Sequence, residues 1–182
     1  MQGVPAPFEI SGTWNLVLEG KEFPRKDLTV RRLVSWTDDP QTKHFSGTGR
    51  YTIAFDLPPA YHSSDVVLQL SVGDCGDVAE VELNSAPAGV IWMRGQALEV
   101  TKAARAGRNV LSIAVTNTLI NRASGWSKVP ELPDELKPIY GRGIDDNSPS
   151  ARELFGFSPL PRSGLLGPVR LTALKRVRMN WR

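Results

Sequence analysis

Between Phe45 and Thr118 four apolar runs alternate with a period of two residues, separated by short turn-like stretches, and this is the pattern of half-buried β-strands. Tyr51, Ile53, Phe55 and Leu57 share one face of the first run, with Thr52, Ala54 and Asp56 on the other. Val66, Leu68, Leu70 and Val72 alternate in the same way, as do Ala79, Val81 and Leu83, and Leu111, Ile113 and Val115. Every strand therefore has a dry face and a wet one, as two antiparallel sheets packed face to face require. The fold class expected is all-β, an antiparallel β-sandwich.

The flanks extend this reading. Gly12 to Leu18 predicts a first strand with Trp14, Leu16 and Leu18 on one face. Gly20 to Asp27 reads as a charged loop, and Leu28 to Val34 as a short edge strand. Asp38, Asp39 and Pro40 mark a turn within the polar stretch from Trp36 to Gly49. Asp77 to Asn84 and Ala88 to Met93 predict a hairpin whose loop, Asn84 to Pro87, is a few residues long. Leu98 to Arg108 reads as a short strand, a helical turn and a glycine turn before the strong strand at Asn109 to Thr116. Periodicity then vanishes from Thr118 to Arg162, a long irregular loop holding six prolines, and returns in Gly164 to Leu174, expected as a strand beside the first.

With 182 residues, one domain over 8–174 is expected, followed by a basic C-terminal tail over 175–182 that carries Lys175, Arg176, Arg178 and Arg182. The balance of 22 basic against 19 acidic residues, mixed along the strands, argues against a nucleic-acid partner. No apolar run approaches the roughly 18 residues of a membrane span, so no membrane partner is expected. Met1 to Pro7 lacks the basic start and apolar core of a signal peptide, which leaves either a cytoplasmic protein or a piece of a larger secreted parent, and the second is the expectation. A single cysteine, Cys75, excludes an internal disulfide; Asp74 and Asp77 beside it disfavour a reactive thiolate.

Several ordered pieces of the chain carry a resemblance. They are Ile10-Ser11-Gly12-Thr13-Trp14, Phe45-Ser46-Gly47-Thr48-Gly49-Arg50-Tyr51, the run from Asp77 to Asn84, Gly89-Val90-Ile91-Trp92, Gly107-Arg108-Asn109-Val110-Leu111 leading to Val115-Thr116-Asn117, Asn121-Arg122, and the run from Ser163 to Val169. The set resembles the galactose-binding-like β-sandwich of family 2 glycoside hydrolases, and more closely the C-terminal β-sandwich of family 106 α-L-rhamnosidases. In such enzymes the catalytic carboxylates lie in a separate barrel. The resemblance implies a jelly-roll, galactose-binding-domain-like sandwich serving as a non-catalytic carbohydrate-binding accessory domain with two partners, a plant or microbial polysaccharide and the catalytic domain of a secreted or periplasmic bacterial parent. Where the usual hairpin turn is Asn-Gly, this chain has Asn84-Ser85 followed by Ala86-Pro87, which argues against a tight turn.

Holding a sugar requires a flat apolar surface for the ring and directed polar groups for its hydroxyls. Trp126, in the irregular segment, and Trp92 with Arg94 at a strand end are the ligand candidates. For Trp92 the competing reading is burial in the core. Trp14 and Trp36 read as core, and Trp181 as tail. Asn117, Asn121 and Arg122 lead into the long loop, where anchoring its backbone competes with contacting sugar hydroxyls or a uronate carboxylate. Tyr140 near Arg142 fits a lyase base only weakly. No pair of acids is set across a cleft by the sequence, and His44 and His62 are isolated, so no catalytic residue is assigned. No cofactor or metal is expected; Asp38, Asp39, Asp74 and Asp77 are the oxygen-rich positions a structural calcium would use, but no spacing matches a calcium loop and solvated turn acids are the simpler reading. The alternatives are a module that only braces a catalytic domain, and a small stand-alone hydrolase or lyase.

Overall fold

The computed structural model describes residues 4–21, 23–126, 133–140 and 159–177. Twelve strands are described: β1 (Phe8–Glu9), β2 (Trp14–Gly20), β3 (Phe23–Val30), β4 (Thr48–Leu57), β5 (Val66–Ser71), β6 (Asp74–Cys75), β7 (Val78–Leu83), β8 (Ala86–Ile91), β9 (Leu98–Glu99), β10 (Gly107–Thr116), β11 (Leu165–Gly167) and β12 (Arg170–Lys175). Two short helices, α1 (Ile120–Ala123) and α2 (Lys137–Tyr140), lie between β10 and β11. Neither is long or apolar enough to cross a membrane.

The strands form an antiparallel β-sandwich. One sheet has the order β3-β2-β4-β10-β7-β8, the other β1-β12-β5-β9, and β11 pairs with β6 in a small third ladder. Leu16, Leu18, Tyr51, Ile53, Leu111 and Ile113 of the larger sheet meet Leu68, Leu70, Leu171 and Ala173 of the smaller in one buried cluster. Each such leucine or isoleucine contributes about 1.5–3 kcal/mol on burial, so the alternating runs supply most of the force that holds the sheets together. The dry faces expected for β4, β5, β7 and β10 are the buried faces.

Three expectations are corrected. Phe23–Val30 is strand rather than loop: it pairs with β2 from Gly20↔Phe23 to Trp14↔Val30. Its charges reflect its place at the sheet edge, where charged side chains and a proline deter pairing with another chain. There Arg25 binds both Glu19 and Asp27. Of the expected edge strand at Leu28 to Val34 only 28–30 is strand, as the last three residues of β3, with bends beyond it at 31–32. The closing strand β12 lies between β1 and β5 in the smaller sheet, not beside β2. A two-residue first strand carries no periodicity to reveal it.

The third correction is the β7–β8 hairpin. Leu83 pairs with Ala86, leaving a two-residue turn in which Asn84 (φ 54°) and Ser85 (φ 63°) are both left-handed, the type I′ geometry that matches strand twist. Asn84 is held in this conformation because its side chain is tied to segments distant in sequence. Nδ2 donates to Ala103 O and Asn109 Oδ1, each at 2.8 Å, and Oδ1 accepts from Val110 N at 2.9 Å. Buried Asn109 completes the node by accepting from Arg105 N and donating to Arg105 O and Gly107 O.

At the other end of the sandwich Trp36 stacks parallel to Tyr51, ring centroids 6.5 Å apart, and meets Phe45 edge-on at 5.0 Å. Gly49 leaves room for the indole, since a Cβ there would stand 2.3 Å from Trp36 Cζ2. Gly164, at φ +90°, lets the returning chain pass close over the Trp36 and Tyr51 rings. The Tyr51 hydroxyl accepts from Trp36 Nε1 (2.7 Å) and from Leu165 N (3.2 Å). Burial pushes its pKa up to about 12, partly offset by those two donors.

Two predictions follow from the hairpin and from Tyr51. Ser85→Gly, which removes a side chain from a left-handed position, raises stability in urea by about 0.5–1 kcal/mol, whereas Asn84→Ala lowers it by about 2–4 kcal/mol by orphaning its buried partners. The phenol of Tyr51 contributes stability in full below its ordinary pKa of 10, and this contribution, roughly 2–3 kcal/mol, is lost as pH rises through about 12. Tyr51→Phe is less stable at neutral pH by about 2–4 kcal/mol and lacks this alkaline component; denaturation midpoints from pH 7 to 12 measure both.

Candidate functional site

Strand β8 ends at buried Ile91, so the alternation sends the next side chain, Trp92, outward with Val90. The loop that follows is wound round the side chain of Gln96. Its Oε1 accepts from Trp92 N (3.1 Å) and Met93 N (3.4 Å), and its Nε2 donates to Val90 O (2.9 Å). Gly95 closes the turn at φ +75°. The result is a pinned loop that holds Trp92 65% exposed and Met93 52% exposed.

These residues border a cleft of about 440 Å3. Arg94 lies on the same wall, and the facing wall is made by Gly73 to Asp77, Pro161, Arg162 and Leu166. Arg162 stands 3.9 Å from Asp74. Asp77, left-handed at φ 54°, accepts from Thr118 N at 2.9 Å. The half-buried Cys75 thiol is pushed up by burial and then by Asp74 and Asp77, so it stays protonated near neutrality and is a poor nucleophile. An exposed indole beside cations and carboxylates can stack on an apolar ring face and hydrogen-bond hydroxyls.

The other sequence candidates lie elsewhere. Asn117 and Asn121 are buried and converge on Ser163: their Nδ2 groups reach Ser163 Oγ at 3.1 and 2.8 Å. Asn117 also donates to Phe45 O and accepts from Gly47 N, each at 2.9 Å. Arg122 Nη1 donates to Lys21 O at 2.6 Å, and its backbone N–H to Ser46 Oγ at 3.1 Å. All three bind backbone in this structure. Trp126 is half-buried in the turn after α1, where its N–H donates to Ala123 O, and it does not line the Trp92 cleft. Tyr140 closes α2, but its side chain, Arg142, Trp181 and most of the segment between Thr118 and Arg162 lie outside the described residues.

Trp14 and Trp36 are in the core, as expected, whereas Trp92 departs from the habit of strand-ending aromatics to pack inward. Sequence reasoning missed Met93, Gln96 and Arg162; alternation from Ile91 would turn Met93 inward, and it is the turn pinned by Gln96 that exposes it. Among the described residues no group of three or more His, Cys, Asp or Glu is placed to hold a metal ion. Asp39 instead forms a turn, accepting from Gln41 N at 2.8 Å.

No family model matches the chain. It is 32% identical, over 96% of its length, to a provisionally named β-glucuronidase of Formosa agariphila. Among solved structures it is similar to a rhamnosidase from Novosphingobium sp. PP1Y, with 29% identity over 96% of this chain and a TM-score of 0.73. The fold also matches part of the β-D-glucuronidase of Dictyoglomus thermophilum, with 17% identity, a TM-score of 0.61 and 96% of this chain covered. The chain spans 16% of the Formosa protein, 16% of the rhamnosidase and 29% of the Dictyoglomus enzyme. Its relatives are glycoside hydrolases, and it corresponds to a small part of each.

Proposed function

We propose that residues 8–174 form a non-catalytic carbohydrate-binding β-sandwich accessory to a secreted or periplasmic glycoside hydrolase of rhamnosidase type, related to family 106, with 175–182 as a basic tail. The observation that carries the reading is Trp92, held out of the sandwich on a loop pinned by Gln96 and bordering a cleft with Arg94, Asp74 and Arg162. A lone exposed aromatic is ordinary, but Val90, Trp92 and Met93 together make an exposed apolar patch rimmed by charged groups, the kind of surface on which a ligand or partner docks. The charged groups beside it suit sugar hydroxyls, and the short span of the hydrolases that the chain matches supports an accessory role. The glycan site is thus assigned to Trp92 and Arg94 in preference to Trp126, Asn117, Asn121, Arg122 and Tyr140.

A second reading is favoured by the apolar character of the same patch, where Val90 and Met93 flank Trp92. There the loop braces a catalytic domain and meets no glycan. Calorimetry on rhamnogalacturonan, homogalacturonan, xylan and glucans separates the two. Binding to one of them, weakened about tenfold or more by Trp92→Ala with the thermal melt unchanged and little altered by Trp126→Ala, is the expected result. Absence of binding to all four leaves the bracing role.

A further inference from the structure

A second cleft, of about 340 Å3, opens on the other side of β11, and Leu166 lines both. Its floor is apolar, with Ile10, Trp14 and Val169 buried beneath it. Arg31 and Arg32 form its rim. Consecutive side chains on a straight strand point to opposite faces, but the chain bends at 31–32 beyond the end of β3, and both arginines border the same space. Among the described residues neither guanidinium has a hydrogen-bond or ion-pair partner. The one acid of the lining, Glu9, is already engaged: Arg170 Nε and Nη2 both donate to its Oε2, at 3.2 and 3.0 Å. Among the described residues the cleft therefore presents two exposed, unpaired guanidinium groups above buried Ile10, Trp14 and Val169.

We infer that the Arg31–Arg32 cleft is a carboxylate-binding subsite that takes a uronate residue of an acidic glycan. A planar guanidinium fork matches a carboxylate with two parallel hydrogen bonds, and two adjacent forks select an anion over a neutral hydroxyl. The Trp92 cleft adjoins it across β11, with Leu166 lining both, and this favours a sugar chain over an acidic peptide; in that respect the inference rests on the glycan reading of the neighbouring cleft. The two clefts divide the work: Trp92 supplies stacking without regard to charge, and the arginine pair supplies the preference for acid.

The test compares tetragalacturonate with its carboxyl-reduced, neutral counterpart by calorimetry at low salt, on the wild type, Trp92→Ala and the double variant Arg31→Gln/Arg32→Gln, with thermal melts as folding controls. Expected is a preference of about ten- to a hundredfold for the acidic tetramer in the wild type, abolished in the double variant and retained by Trp92→Ala on a weaker overall affinity. Equal binding of both tetramers, or a preference that survives in the double variant, overturns the inference. Where neither tetramer binds, sodium galacturonate is titrated while the Arg31 and Arg32 Nε–H resonances are followed by NMR. Shifts confined to those two keep the subsite and sink the glycan reading of the Trp92 cleft; no shift sinks the subsite.

Discussion

Ser163 is the point on which the sandwich and its clefts both depend. It is buried, and each of its polar atoms is used. Its N–H donates to Ser35 Oγ, its carbonyl accepts from Trp36 N, and its hydroxyl oxygen accepts from the side chains of Asn117 and Asn121. One residue thereby joins the turn before Trp36, the exit from β10 and the return toward β11. Leaving any of these groups unpaired in the interior costs about 1–3 kcal/mol, so the node is held by mutual necessity and not by one strong bond. Because Asn117 and Asn121 stand where the chain leaves the sheet and Ser163 where it comes back, the excursion between them is closed at its base. The cost of that closure rises only slowly with the length of what lies between.

The cleft walls are built outward from the same node. Gly164 O accepts from Gly76 N, and Leu165 pairs with Cys75, so the returning strand fixes the short segment from Gly73 to Asp77. Gly73 lies so close to Gly167 that a Cβ there would stand 2.3 Å from its carbonyl carbon. Pro161 and Arg162 on one side of Ser163, and Leu166 on the other, then become cleft walls without needing support of their own. The Trp92 loop comes from the edge of the larger sheet, and β11 divides its cleft from the arginine cleft. Both clefts therefore inherit their geometry from hydrogen bonds made outside them.

Legibility in the sequence followed the kind of force involved. Burial repeats locally, and so Tyr51 to Leu57 or Leu111 to Val115 announce both a strand and its face. Edge position does not repeat: Phe23 to Val30 looks like a charged loop because an edge strand must resist pairing with other chains. Asn84 and Ser85 lack the expected glycine, yet the turn is tight because Asn109, 25 residues away, and the start of β10 satisfy the Asn84 side chain. Asn117 and Asn121 are recognisable as polar residues at a loop mouth, but their common partner lies more than 40 residues onward. Arg31 and Arg32 are two ordinary basic residues until the bend after β3 brings them to one cleft.

The Trp92 loop bears most directly on what the fold is for. Three hydrogen bonds to and from the Gln96 side chain order a segment whose two large side chains stay mostly exposed. A loop that served only the core would turn Trp92 inward, as Trp14 and Trp36 are turned. Preorganisation lowers the entropy lost when a partner docks, and so it benefits a binding surface more than a fold. A dry interface with another domain would have to strip water from Arg94, Arg162 and Asp74, at a cost that imperfect pairing would not repay. A sugar chain brings hydroxyls to those same groups and a ring face to the indole, and it can leave the charges partly wet.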